Sequence, residues 1–134
     1  MGKFLAAISF KEIKMTIQTL LTTVTTEKPN SFGNAKLIGF VNEAEANVAE
    51  QLQVHLPIYT VDDLSKELLA PSPYDMLYIS YLKAKIDYAN EEYASYQLNA
   101  EQYMQDFADF VDWIVRTKQV QDNRSFPARF RHVM

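Results

Sequence analysis

The chain has 134 residues, 48% of them apolar, with 13 basic and 17 acidic side chains and no cysteine. This length and apolar content fit one domain burying roughly two-thirds of its unfolded surface, and they exclude disorder as the default. The missing thiols exclude a disulfide framework, thiol catalysis and cysteine-ligated zinc, while the net charge of −4 gives no general attraction to nucleic acid or anionic membrane.

Only three glycines stand against many Ala, Leu, Glu, Gln and Lys, a balance that favours helix. No apolar run reaches the roughly 18 residues that span a bilayer. The opening Met1-Gly2-Lys3-Phe4-Leu5-Ala6-Ala7-Ile8-Ser9-Phe10 starts like a signal peptide, but it stops at Lys11-Glu12-Ile13-Lys14 without a small-residue cleavage site. Lys11-Glu12 can be encoded by a purine-rich ribosome-binding sequence at a suitable distance from Met15. The expectation is that Met15 is the natural start and residues 1–14 are an upstream extension.

From Met15 to Lys28, Ile17, Leu20, Leu21 and Val24 recur at helical spacing. Thr22 to Thr26 lower the intrinsic propensity, so this helix must lean on packing, and Pro29 ends it. A second helix is predicted to start near Gly33, with Phe32 and Leu37 spaced as a hydrophobic staple. Its stripe is Leu37, Val41, Ala44, Val48 and Leu52, and Glu43, Glu45, Asn47, Glu50 and Gln53 are expected to face elsewhere. The segment Ile58 to Pro73 reads as an ordered connection, in which Asp62 or Asp63 caps one short helical turn reaching Leu69.

Pro73-Tyr74-Asp75 opens a third helix. The following residues, Met76 to Leu82, are apolar or aromatic nearly all round, which predicts a helix in the middle of a bundle or at a subunit contact. Tyr74, Leu77, Tyr78, Tyr81 and Tyr88 are its candidate core or inter-subunit residues. Asn90-Glu91-Glu92 is the expected turn, with one long kinked helix as the alternative. The last helix carries Tyr93, Tyr96, Ala100, Tyr103, Phe107, Phe110 and Ile114 on alternating three- and four-residue steps, widened by Met104, Ala108, Val111 and Val115. The fold class is therefore all-α: a bundle of about four helices plus a short helical turn over residues 15–118, followed by an extended tail over 119–134.

Candidate sites are few. His55 and His132 lie far apart and lack the converging third group that a zinc site or a histidine triad needs. Asp106, Asp109 and Asp112 step by three along the last helix without the Glu-x-x-His partners of a helical metal site, and read as a solvated face. From Ile86 to Val115 there are seven acids and no basic residue, so the aromatic stripe reads as core and not as a base-stacking platform. The tail interleaves Arg124, Arg129 and Arg131 with Phe126 and Phe130, residue types that anchor protein interfaces. It fits a tail docked on a partner and a free terminus equally well. No catalytic residue, cofactor or metal ligand is nominated.

Four stretches carry a family resemblance: Lys28-Pro29-Asn30-Ser31-Phe32, Val41-Asn42-Glu43-Ala44-Glu45, Leu68 to Asp75, and Tyr78 to Tyr93. Together they resemble the head–tail connector (adaptor, or head-completion) proteins of tailed phages and prophages of Gram-positive bacteria, over roughly Met15 to Lys118. The resemblance implies a structural virion protein of the neck, assembled in the host cytoplasm. Such a protein forms a ring, usually a dodecamer, beneath the portal; it contacts portal and stopper or tail-completion proteins and surrounds the DNA exit channel. It further implies that Asn123 to Met134 reaches the portal and that Asp106, Asp109 and Asp112 face the channel, close to DNA. Glu91 stands where related sequences often carry glycine, which predicts a less sharp hairpin. The alternative from another class is a small cytosolic helical regulator or antitoxin-like protein-binding module.

Overall fold

The computed structural model describes residues 13–122. Tail residues Arg124, Phe126, Arg129, Phe130 and Arg131, and residues 1–12, lie outside them. The described residues form an all-α bundle with one small two-stranded sheet. The elements are β1 (Lys14–Thr16), α1 (Ile17–Glu27), α2 (Asn34–Leu52), a 3-10 turn (Val61–Asp63), β2 (Glu67–Pro71), α3 (Met76–Ala89) and α4 (Tyr93–Asp122).

The first helix starts later than its periodicity predicts, because Thr16 caps it: the Thr16 hydroxyl accepts from Thr19 N at 3.1 Å. Ile17, Leu20, Leu21 and Val24 are all buried, and the threonines opposite stay at the surface or only partly covered. Packing thus supplies what β-branched propensity withholds. Beyond Lys28, Asn30 turns the chain by accepting from Phe32 N at 2.9 Å. Gly33 is the N-cap of α2, as expected, but Phe32 meets Phe40 edge-on at 6.3 Å, one turn beyond the predicted Leu37.

The sheet is an addition to the predicted elements. β1 and β2 run antiparallel with Lys14 opposite Pro71 and Thr16 opposite Glu67, and β2 carries extra residues between those pairs. Ile17 N and Gln18 N extend the pairing to Lys66 O and Leu64 O, and Ser72 N donates to Ile13 O at 2.7 Å. Ile13 and Lys14 are therefore part of the folded unit. The short turn is capped by Thr60, not by an aspartate: Asp62 N donates to the Thr60 hydroxyl and Asp63 closes the box by accepting from Thr60 N at 2.8 Å.

Helix α3 occupies the centre, with Leu77, Tyr78, Leu82 and Ile86 fully buried. Antiparallel to it runs α4, and aromatic rings fill the seam: Tyr81 on Tyr103 at 5.0 Å, then Phe107, Phe110 and Trp113, with Tyr74 stacked on Trp113 at 5.2 Å. Of the predicted stripe on α4, Phe110 and Ile114 are buried and Tyr103 and Phe107 pack on the core, whereas Tyr93 is exposed. The widening residues Met104, Ala108 and Val115 are also exposed, so the buried face is narrower than predicted. Its width is set mainly by α3 lying along it, with α2 touching it at the Asn47–Tyr103 hydrogen bond of 3.2 Å.

The hairpin between α3 and α4 is tight despite its lack of glycine. Glu91 adopts φ 60°. Glu92 N reaches back to Asp87 O and Glu91 N to Tyr88 O, the paired bonds of a Schellman cap. The prediction of a blunter turn is thus corrected: the hydrogen bonds hold a side-chain-bearing residue in the left-handed region. Gln53 closes α2 in the same way at φ 59°. Replacing Glu91 by glycine removes the steric cost of that conformation. The expected gain is about 1 kcal/mol in urea unfolding, and no gain would mean the cap is not strained.

Candidate functional site

Two fully buried carboxylates organise the interior, and one corrects the sequence reading. Glu45, expected on the outer face of α2, is completely buried. Its Oε2 accepts from the Tyr59 hydroxyl at 2.7 Å and from Leu69 N at 2.9 Å, while Oε1 accepts from the Tyr78 hydroxyl. Tyr78 in turn accepts from Ala70 N at 2.9 Å, so two consecutive amides of β2 are satisfied by side chains of α2 and α3. Asn42, one turn earlier, pairs with both backbone groups of Tyr59, at 2.9 and 3.0 Å. Glu45 follows Ala44 and sits four residues after Val41, at the edge of the apolar stripe. That position was its signal.

The second centre is Asp87, also fully buried, near the end of α3. Lys28 Nζ, at the C-cap of α1, lies 2.7 Å from Oδ1, a charge contact rather than a well-directed hydrogen bond. Ser95 and Asn99 of α4 each donate to Oδ2 at 2.7 Å. Three helices therefore meet at one carboxylate. The single acid of the helix Met76–Ala89, next to the apolar Ile86, was the sequence signal.

Burial opposes the charge at both centres, but the net shifts have opposite signs. For Glu45, loss of solvation dominates its three donors and raises the carboxyl above its ordinary 4.5. For Asp87, burial also opposes the charge, but Lys28, Ser95 and Asn99 outweigh it and hold the carboxyl below its ordinary 3.8. The Tyr78 hydroxyl is pushed up by burial and by the facing Glu45 charge, which keeps it a donor.

The other candidate residues are placed as follows. Leu77 and Tyr78 are wholly internal, Tyr74 and Tyr81 are half-buried, and Tyr88 is 57% exposed, its ring against Tyr93 and Tyr96. Tyr81 donates to Glu43 at 2.7 Å. The three aspartates do not share one environment. Asp106 turns toward α3 and accepts from Ser80 at 2.9 Å, whereas Asp109 and Asp112 are exposed, Asp112 pairing with Arg116 at 3.0 Å. His55 is exposed. Among the described residues no cluster of three or more His, Asp or Glu side chains is arranged to hold a metal ion, and no helix is long and apolar enough to cross a membrane.

Comparison of the chain with protein families, curated proteins and solved structures finds no match. Segments 28–32, 41–45, 68–75 and 78–93, separated in sequence, come together at the two centres. Asn42 and Glu45 meet Leu69, Ala70 and Tyr78 at one centre, and Lys28 meets Asp87 and the α3–α4 hairpin at the other.

The signs of these shifts set the pH response. Below 4.5 the Glu45 contribution is fully present, and it is lost as pH rises through the raised folded value. The Asp87 contribution is present above 3.8 and is lost as pH falls through the lowered folded value. Glu45→Gln is expected to flatten the decline of unfolding free energy above pH 4.5 in urea titrations, and an unchanged slope would refute the assignment. Lys28→Ala strands a buried charge and is expected to cost about 3 kcal/mol, more than Asp87→Asn, which removes that charge. Equal costs in denaturant unfolding would show that the pairing is not what matters.

Proposed function

We propose that this chain works by assembly: it is a structural subunit of a tailed-phage neck, forming a ring beneath the portal and joining head to tail around the DNA exit. The observation that carries this reading is the convergence just described. The segments that resemble head–tail connectors supply Lys28, Asn42, Glu45, Leu69, Ala70, Tyr78 and Asp87 to the two polar centres, while Tyr59, Ser95 and Asn99 come from outside them; this supports a resemblance that involves framework residues. A protein whose buried carboxylates are engaged by internal donors has its outer faces to offer to partners. Those faces include solvent-exposed apolar side chains along α4, among them Leu98 and Met104 at 70% and 68% exposure.

In this reading the bundle forms the ring wall, and the basic, aromatic segment Asn123 to Met134 fastens it to the portal. Portal protein and a stopper or tail-completion protein are the partners. Asp109 and Asp112 contribute an acidic exposed face that DNA would pass without adhering, through like-charge repulsion. Asp106 is engaged with Ser80 and contributes less.

The test is reconstitution with portal and stopper proteins encoded beside it, imaged by negative stain. Rings on the portal are expected, and a chain that neither binds portal nor joins heads to tails sinks the reading. Deleting Asn123 to Met134 should leave helicity and melting temperature unchanged while abolishing portal binding. Retained joining by the truncated chain would reject the tail's role.

A further inference from the structure

The last helix carries a second apolar row besides the one it buries. Met104, Ala108, Val111 and Val115 follow each other at steps of four, three and four residues, the spacing of a coiled-coil seam. Met104 is 68% exposed and Val115 46%; Ala108 is exposed and Val111 half-buried. Three of its four members, Met104, Ala108 and Val115, are left exposed by the described residues, and Val111 is partly covered. It lies on a flank of α4, turned away from the Tyr103, Phe107, Phe110 and Ile114 face that packs inward.

The row continues at both ends into opposite charges. One step before Met104 stands Glu101, and one step after Val115 stands Lys118, both exposed. Glu101 has no ion-pair partner among the described residues, and Lys118 only touches the Gln53 amide at 3.3 Å. The arrangement is self-complementary about a point between Asp109 and Phe110. If a second copy of α4 lies antiparallel across that point, Met104 faces Val115 of the copy, Ala108 faces Val111, and Glu101 faces Lys118. Each pair then occurs twice. A parallel arrangement would instead set Glu101 against Glu101 and Lys118 against Lys118, at a cost in like-charge repulsion.

We infer that the row is a docking surface for a second copy of this chain, joined through antiparallel α4 helices about a two-fold axis. Small Ala108 and Val111 at the centre let the two backbones approach, and the longer Met104 opposite Val115 fills the flanks. The seam spans about 26 Å of helix axis at 1.5 Å per residue. That length makes a contact at the small end of specific interfaces, with dissociation in the micromolar range or weaker. A two-fold contact closes on itself. It therefore describes the free chain and not the wall of a ring, and it does not rest on the phage reading.

Sedimentation velocity of the full chain at increasing concentration tests this. A monomer–dimer equilibrium is expected. Met104→Glu should shift it to monomer without lowering the melting temperature, since that side chain is exposed. Glu101→Lys or Lys118→Glu alone should weaken the dimer roughly tenfold, because two ion pairs become two repulsions. The double reversal Glu101→Lys with Lys118→Glu should restore it. A chain that stays monomeric throughout overturns the inference, whether the row is then bare or covered by residues 1–12 or 123–134. So does a dimer indifferent to Met104→Glu, or charge reversals whose combination does not rescue.

Discussion

The Glu45 carboxylate is the constraint on which the connection between α2 and α3 depends. A buried carboxylate loses its hydration, and in this interior three donors replace it: two tyrosine hydroxyls and the Leu69 amide. The replacement works in both directions. Among the described residues β2 has one partner strand, and two of its consecutive amides, Leu69 and Ala70, find side-chain acceptors. Glu45 takes one and Tyr78 takes the next. A sheet of two short strands, marginal by itself, becomes a fixed part of the bundle because helix side chains bind its backbone amides.

The helices were legible from apolar spacing, since each buries a stripe at the helical period: Ile17, Leu20, Leu21 and Val24 on α1, and Leu37, Val41, Ala44 and Val48 on α2. The central position of α3 was equally legible from its lack of a polar face. What spacing could not show is whatever depends on partners distant in sequence. Glu45 looks like a surface acid until Tyr59, Tyr78 and Leu69 are brought to it. β2, Glu-Leu-Leu-Ala-Pro, has no β-branched residue and no alternation, and it is a strand only because β1 and the two helices bind its backbone. The same reason separates Asp106 from Asp109 and Asp112: regular steps along α4 say nothing of where α3 lies.

The two carboxylate centres divide the work of holding the bundle. Glu45 joins α2, β2 and α3, and Asp87 joins α1, α3 and α4. Both include α3, so the central helix is fixed at both ends, by Tyr78 near its start and by Asp87 near its finish. Directed bonds at two levels set its rotation about its own axis, a quantity that apolar packing alone specifies poorly on a helix greasy all round. In that sense the polar groups select one arrangement from several of similar burial.

The lengths of the hairpin's two arms are unequal: α3 has 14 residues and α4 has 30. At 1.5 Å per residue the longer arm runs about 45 Å, roughly twice its companion. Its buried face ends at Ile114, after which Val115 to Lys118 are exposed, Lys118 donating to Gln53 at 3.3 Å, while the helix continues to Asp122. The far turns of α4 are thus a lever rooted in the Tyr74, Phe110 and Trp113 stack. A load applied to that lever arrives at the stack as torque, and Tyr74 stands two residues before α3 begins. Pulling or twisting at one extremity would be felt first at the entrance of the central helix.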